Sequence, residues 1–334
     1  MLFFSLSVFR LMVLFATFLS VAYSSPTIRT RCFIFGCDDP SPHDTHNGVS
    51  ESTLGEFALF SQYAAAAYCE ENNNSSGTKI TCATKNCPDV EAANVTSHNE
   101  FENSPIADTT GFIAIDYTRK IVVLTFRGSV SGANWQENLK ASRVHTDICH
   151  KCHVHKGFWQ AWVEARPPVL GAVKTVMDLY ANYRFVVTGH SLGGALATLA
   201  AGDIRKISTK FADITELYTY GSPRIGNIRT VDFLTKQSSL SHRITAVDDP
   251  VPRVPWHRAG YFHVSPEFWV HTNPQYPTTT DIMVVTGYYN KAGNSGANKG
   301  HTKYDMEAHR HYLGNITQCR PDKDISGSKS RRSF

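Results

Sequence analysis

Two kinds of hydrophobic pattern take turns along the chain. Short apolar runs stand at 111–117 (GFIAIDY), 120–126 (KIVVLTF), 184–188 (RFVVT), 216–221 (ELYTYG), 242–247 (HRITAV) and 281–287 (DIMVVTG). Bounded by turn residues and rich in β-branched and aromatic side chains, they predict strands. Only Thr118 and Arg119 separate the first two, which therefore read as a hairpin. Elsewhere apolar residues recur at helical spacing. LGEFALFSQYAAAAY leads up to Cys69 with Ser52-Thr53 as its capping signal. Residues 158–182 put Trp159, Trp162 and Val163 on one side, and Pro167-Pro168 is expected to break or kink that helix. Leu192 to Lys206 and a segment near 226–237 complete the set. Strands alternating with helices predict an α/β fold whose central strands run parallel. No internal repeat is visible, and the length suffices for a large core.

The ends of the chain depart from this pattern. Leu11 to Ala22 is almost wholly apolar, follows Arg10 and is succeeded by small residues. It is too short to span a bilayer and reads as the core of a signal peptide, with cleavage expected after Ala22 or Ser24; an uncleaved anchor is the alternative. The expected domain plan is a signal peptide at 1–24, a pro-segment or linker at 25–50, a folded α/β domain at 51–319 and a basic, disordered tail at 320–334. Residues 290–300 (NKAGNSGANKG) read as loop.

Composition adds bounds rather than identity. The chain is 42% apolar and 19% charged with a formal net charge of +4, and its one dense basic stretch is the tail around Lys329, Arg331 and Arg332. That is no nucleic-acid footprint. All eight cysteines lie beyond the signal segment, and an even count in an exported chain implies disulfides. The sharper alternative is a zinc site at Cys149, His150, Cys152, His153 and His155. No second CxxC follows it, and an exporting cell oxidises such thiols. Acceptor sequons at Asn73 or Asn74, Asn94 and Asn315 also fit export.

The strongest chemical signal is Gly189-His190-Ser191-Leu192-Gly193, a G-x-S-x-G pattern. The bare pattern arises by chance in roughly one chain in ten of this length. Its context is what carries it: RFVVT precedes as a strand, and LGGALATLAAGDIRK follows as a helix of small residues. A nucleophilic serine on such a turn is exposed above the sheet edge, and the flanking glycines remove side chains that would clash. The helix N-terminus then aims free N–H groups at a developing anion. A serine needs a base and the base an orienting carboxylate, in the chain order Ser, Asp or Glu, His. Asp248 and Asp249 both follow a predicted strand, and His257, His263, His271, His301, His309 and His311 all lie downstream. The residues alone do not choose among them.

Seven ordered blocks carry a resemblance: QYAAAAYC (62–69), TFRGS (125–129), NW (134–135), TGHSLGGALA (188–197), YTYGSPRIGN (218–227), DDPVPRVP (248–255) and AHRHYLG (308–314). From about Phe57 to Cys319 the chain resembles the fungal class 3 lipases, a family that includes triacylglycerol lipases and feruloyl esterases. The resemblance implies a single-domain α/β-hydrolase fold with a mostly parallel sheet and a short helical lid. It places the nucleophile at Ser191, the acid at Asp249, the base at His309 and the oxyanion hole at Ser129 and the Leu192 N–H. Val254 stands where the family pattern has leucine. It also implies the pairs Cys69–Cys319, Cys82–Cys87 and Cys149–Cys152; Cys32 and Cys37 fall outside the match, and their pairing is a guess.

The implied activity is secreted carboxylic-ester hydrolysis without metal or organic cofactor, most simply by a triacylglycerol lipase. The lid-like stretch 131–139 keeps Trp135 and Leu139 on one helical face, but Gly132 and Gln136 narrow its apolar stripe. Weak interfacial activation at an oil–water boundary is the resulting expectation. The alternatives are a feruloyl or short-chain esterase and, in another class, a non-catalytic secreted binding homologue. No nucleic acid or stable protein partner is implied.

Overall fold

The computed structural model describes residues 32–33, 36–37, 41–102, 109–129, 142–297 and 306–320. A nine-stranded mixed sheet forms its centre. The strands are β1 (Thr45–Asn47), β2 (Val95–Phe101), β3 (Gly111–Asp116), β4 (Ile121–Phe126), β5 (Arg184–His190), β6 (Thr215–Tyr220), β7 (Ser241–Ala246), β8 (Glu267–Val270) and β9 (Ile282–Val285). In space they run β1-β9-β8-β7-β6-β5-β4-β3-β2. Neighbours from β4 through β8 are parallel, whereas the outer strands on both sides pair antiparallel. The C-terminal ends of β4, β5, β6 and β7 therefore open onto one edge, the usual place for a ligand site in a parallel sheet.

The central strands are buried on both faces, as parallel strands covered by helices must be. Along β4, Ile121 and Val123 join one core while Val122, Leu124 and Phe126 join the other. Helix α1 (Glu51–Ala66) supplies Phe57, Phe60 and Tyr63 to the first core. Helices α2 (Lys156–Leu179), α3 (Leu192–Arg205) and α4 (Ile228–Lys236) supply Trp162, Leu196, Leu199 and Val231 to the second. Each such side chain contributes roughly 1.5–3 kcal/mol by leaving water, so the layers are held mainly by this burial.

Several expectations need correction. The cap of α1 is Ser50, whose hydroxyl accepts from the Thr53 N–H at 3.0 Å, so the helix begins earlier than Ser52-Thr53 suggests. Helix α2 continues unbroken through Pro167 and Pro168. Both prolines are exposed, so water can serve the carbonyls that their missing N–H groups leave free. The buried stripe of α2 passes through Phe158, Trp162, Ala165 and Val169, leaving Val163 exposed rather than beside Trp162. Strands β1, β2 and β8 lack a readable hydrophobic run. β1 (Thr-His-Asn) is exposed throughout and is held by backbone pairing with β9. It lies within the stretch read as a pro-segment or linker. Edge strand β2 carries a bulge between Ser97 and Asn99 and few apolar residues.

Three disulfides join Cys69 to Cys319, Cys82 to Cys87 and Cys149 to Cys152, the pairs the resemblance implies. The first closes a loop of 250 residues. In the chain-entropy view such a link contributes up to about 5 kcal/mol. The sulfurs of Cys69, Cys82 and Cys319 lie within 4.8 Å of one another, but all are consumed in disulfides and offer no thiolate to a metal. The Cys149–Cys152 bond likewise removes the thiolates of the zinc alternative. Cys32 faces Cys37 across a two-residue antiparallel ladder.

His155 caps α2: its Nδ1 accepts from the Phe158 N–H, and the ring packs on Phe158 at 4.2 Å. Burial pushes its pKa down to about 4. The unfolded chain thus takes up this proton first, near pH 6.5, and stability is complete above that pH. It is lost as pH falls towards 4, when a charged ring can no longer accept and stands at a positive helix end. The expected outcome is a melting temperature that drops between pH 6.5 and 4. In His155→Asn, which caps without titrating, the drop should be shallower; an unchanged slope would remove His155 from this role.

Candidate active site

Ser191 stands between the end of β5 and the start of α3 with φ 57° and ψ −126°. Positive φ in a residue with a Cβ is strained by about 1–3 kcal/mol and persists only where the surroundings over-determine it. Here the Ser191 N–H donates to the Tyr220 carbonyl at 2.9 Å, and the Ser191 carbonyl accepts from the Gly194 N–H at 2.9 Å. The turn is also too tight for side chains. A Cβ on Gly189 would lie 2.4 Å from the Gly193 carbonyl oxygen, and one on Gly193 would lie 2.1 Å from that of Phe126. The glycines of the motif are therefore required by contact, as the sequence reading holds.

The residues expected as acid and base arrive on separate elements. Asp249 is fully buried in the turn after β7. Its Oδ2 lies 2.8 Å from His309 Nδ1, and its Oδ1 accepts from the Val251 N–H at 2.8 Å. The Tyr312 hydroxyl donates to the same Oδ2. Burial and the neighbouring carboxylate push the Tyr312 phenol well above its ordinary pKa, so it remains a donor. Asp248, which the residues alone could not separate from Asp249, instead lines a different groove with Trp269, His271 and Lys291. His309 belongs to the helical turn Glu307–Arg310 and is buried. Of the other candidates, His263 Nε2 donates to the Pro252 carbonyl, His257 stacks on Tyr289 and His311 Nδ1 donates to the Glu307 carbonyl. His301 lies outside the described residues.

Ser191, His309 and Ser129 line one cavity of about 220 Å³ together with Tyr68, His190 and Val251. Leu192 opens α3, so its N–H is a first-turn donor without a partner inside the helix. The groove at Asp248 is larger, about 520 Å³, and contains none of these groups, so size does not mark the site. The lid residues Trp135 and Leu139 lie outside the described residues.

Sequence reasoning missed the supports. Asn294, in the stretch read as plain loop, is buried and its amide donates to the carbonyls of Asp249 at 3.0 Å and Val247 at 3.2 Å. Val247 has φ 25°, a strained value for a β-branched residue. The Trp269 indole N–H also donates to its carbonyl, at 2.9 Å, which helps hold the turn. Gly221 has φ 57°, and a Cβ there would lie 2.9 Å from Asp249 Oδ2 and from the Tyr312 hydroxyl, and 3.0 Å from His309 Cε1. The blocks containing Tyr312 and Gly221 were visible in the sequence, but nothing in them announced these contacts.

A buried carboxylate–imidazole pair and a serine on a strained strand–helix turn, all at the C-terminal edge of a parallel sheet, define an α/β-hydrolase site suited to acyl transfer. Comparison with known proteins supports the same fold and class of enzyme. Residues 123–259 match the class 3 lipase family, and residues 28–98 match the lipase 3 N-terminal region. The secreted mono- and diacylglycerol lipase A of Penicillium camembertii is 42% identical over 270 residues, spanning 79% of this chain and 86% of its own. The secreted mono- and diacylglycerol lipase 1 of Fusarium solani is 38% identical over 283 residues, spanning 83% and 81%. The crystal structure of a mono- and diacylglycerol lipase from Aspergillus oryzae superposes with a TM-score of 0.74 at 37% identity, over 81% of this chain and 99% of that one. The chain belongs to the class 3 lipase family and is a secreted lipase, a carboxylic ester hydrolase.

Gly221→Ala tests the crowding at the carboxylate. It should fold, because the clash is local, yet lower ester hydrolysis by about ten-fold or more through displacement of Asp249 or His309. Wild-type kcat in that variant would show that the pair tolerates displacement.

Proposed function

We propose that this lipase hydrolyses acylglycerols through Ser191 as nucleophile, His309 as base and Asp249 as the carboxylate that orients the base. The observation that carries this reading is the buried 2.8 Å contact from Asp249 Oδ2 to His309 Nδ1, beside a cavity that His309 shares with Ser191. Ser191 Oγ attacks the ester carbonyl while its proton passes to His309 Nε2. Asp249 holds the Nδ1–H tautomer and stabilises the imidazolium. The Leu192 N–H and Ser129 receive the oxyanion; one such donor is typically worth about 10²–10³-fold in rate. The imidazolium then protonates the departing glycerol oxygen, and water, activated by the same imidazole, releases the fatty acid from Ser191. The chemistry needs neither metal nor organic cofactor.

For substrate, mono- and diacylglycerols are the reading favoured by the named relatives, and it is narrower than the triacylglycerol lipase that the sequence suggests. Trp135 and Leu139 are proposed to face lipid at an oil–water boundary. Residues 1–24 are proposed to leave as a signal peptide. Among the described residues no helix is long and apolar enough to cross a membrane.

Two measurements test this. Ser191→Ala should fold and lose on the order of 10⁶-fold in kcat. Rates on monoolein, diolein and triolein emulsions and on methyl ferulate should favour the partial glycerides over triolein by about ten-fold or more. Equal rates on triolein would return the triacylglycerol reading, and preferred hydrolysis of methyl ferulate would replace lipase-type substrates with aromatic esters.

A further inference from the structure

His190, the residue before Ser191, is buried and absent from the chemistry above. Its Nε2 lies 2.9 Å from the backbone carbonyl of His309, and its Nδ1 lies 2.7 Å from the Tyr68 hydroxyl. A carbonyl can only accept, so Nε2 carries the proton. Burial holds His190 well below its ordinary pKa, so the ring is neutral and Nδ1 must accept. The Tyr68 hydroxyl must therefore donate to it, and the phenolic oxygen packs against Gly128. Both hydrogens in this chain have one permitted direction: Tyr68 O–H to His190, and His190 Nε2–H to the carbonyl of His309.

The three segments joined are the ones whose spacing the reaction requires. Gly128 precedes Ser129, and a Cβ on it would meet the Tyr68 oxygen at 2.0 Å and Ser191 Cβ at 3.1 Å. His190 belongs to the nucleophile turn, and its ring packs on the His309 ring with centroids 4.4 Å apart. Tyr68 is itself anchored by the neighbouring Cys69–Cys319 disulfide. We infer that Tyr68 and His190 are positioning residues, a directed hydrogen-bond chain that sets the base and the Ser129 turn at working distance from Ser191. This rests on the proposed roles of Ser191 and His309.

The test is Tyr68→Phe in the full chain, which keeps the ring and removes only the hydroxyl. The readouts are hydrolysis of soluble p-nitrophenyl butyrate and the rate of covalent inactivation by a p-nitrophenyl alkylphosphonate, which needs an aligned serine and base but no deacylation. Loss of alignment should lower kcat and the inactivation rate together, by about ten- to a hundred-fold, because small misplacement costs that much. KM should remain within about two-fold, since uniform binding is untouched. His190→Gln, which can still offer an N–H to the His309 carbonyl, should retain more of both rates than His190→Ala, and this comparison stands if Tyr68→Phe does not fold. Wild-type inactivation in Tyr68→Phe, a rise in KM alone, or equal rates in His190→Gln and His190→Ala overturns the inference. Ser191→Ala run alongside separates the two levels: activity retained there overturns the assignment of the nucleophile, whereas its loss beside a normal Tyr68→Phe overturns only the positioning chain.

Discussion

The close approach of backbone to backbone at residues 189–194 is the constraint on which the site depends. The turn presses against the end of β4 so tightly that the carbonyl of Phe126 occupies the space a side chain at position 193 would need. Only that closeness lets Ser191 sit at positive φ above the sheet edge while α3 begins at the next residue. The strain of such a backbone is of order 1–3 kcal/mol, small against the burial of β4, β5 and β6 on both faces, so the layers can hold it.

From that fixed point the parallel strands deliver the remaining groups. β4 leads to Ser129, β6 to Gly221 and β7 to Asp249. The carboxylate is then satisfied from several sides, by His309, Tyr312 and the Val251 N–H. A buried charge without such partners would be costly, and this set lets Asp249 stay in the interior next to the imidazole. His309 comes from a helical turn outside the sheet. The structure ties it back through the Cys69–Cys319 disulfide and through His190, which is why a residue so late in the chain can be placed against the central strand.

What was legible in the sequence follows from range. The central strands, α3 and the glycine-flanked serine are local patterns, and each stands where its residues predict. The edge strands were not legible: β1 is three polar residues whose pairing depends on β9, far away in sequence. The proline pair in α2 misled because its exposure, which lets water take the free carbonyls, is set by tertiary packing. Asp249 and His309 were chosen through family resemblance, since no local rule separated Asp248 from Asp249. Tyr68, His190, Tyr312 and Asn294 acquire meaning only from partners 45 to 122 residues away. A loop-like stretch such as 290–297 gives no sign that Asn294 braces the carbonyls of Val247 and Asp249.

The most direct measurement is a crystal structure of the enzyme after reaction with an alkylphosphonate that mimics the tetrahedral intermediate. The expected result is a phosphorus–oxygen bond to Ser191 Oγ, with one phosphonyl oxygen within hydrogen-bond distance of the Leu192 N–H. His309 Nε2 should approach the esterified oxygen while its Nδ1 stays on Asp249. An adduct on another residue, or a phosphonylated Ser191 with His309 turned away from both it and Asp249, would contradict the site described above.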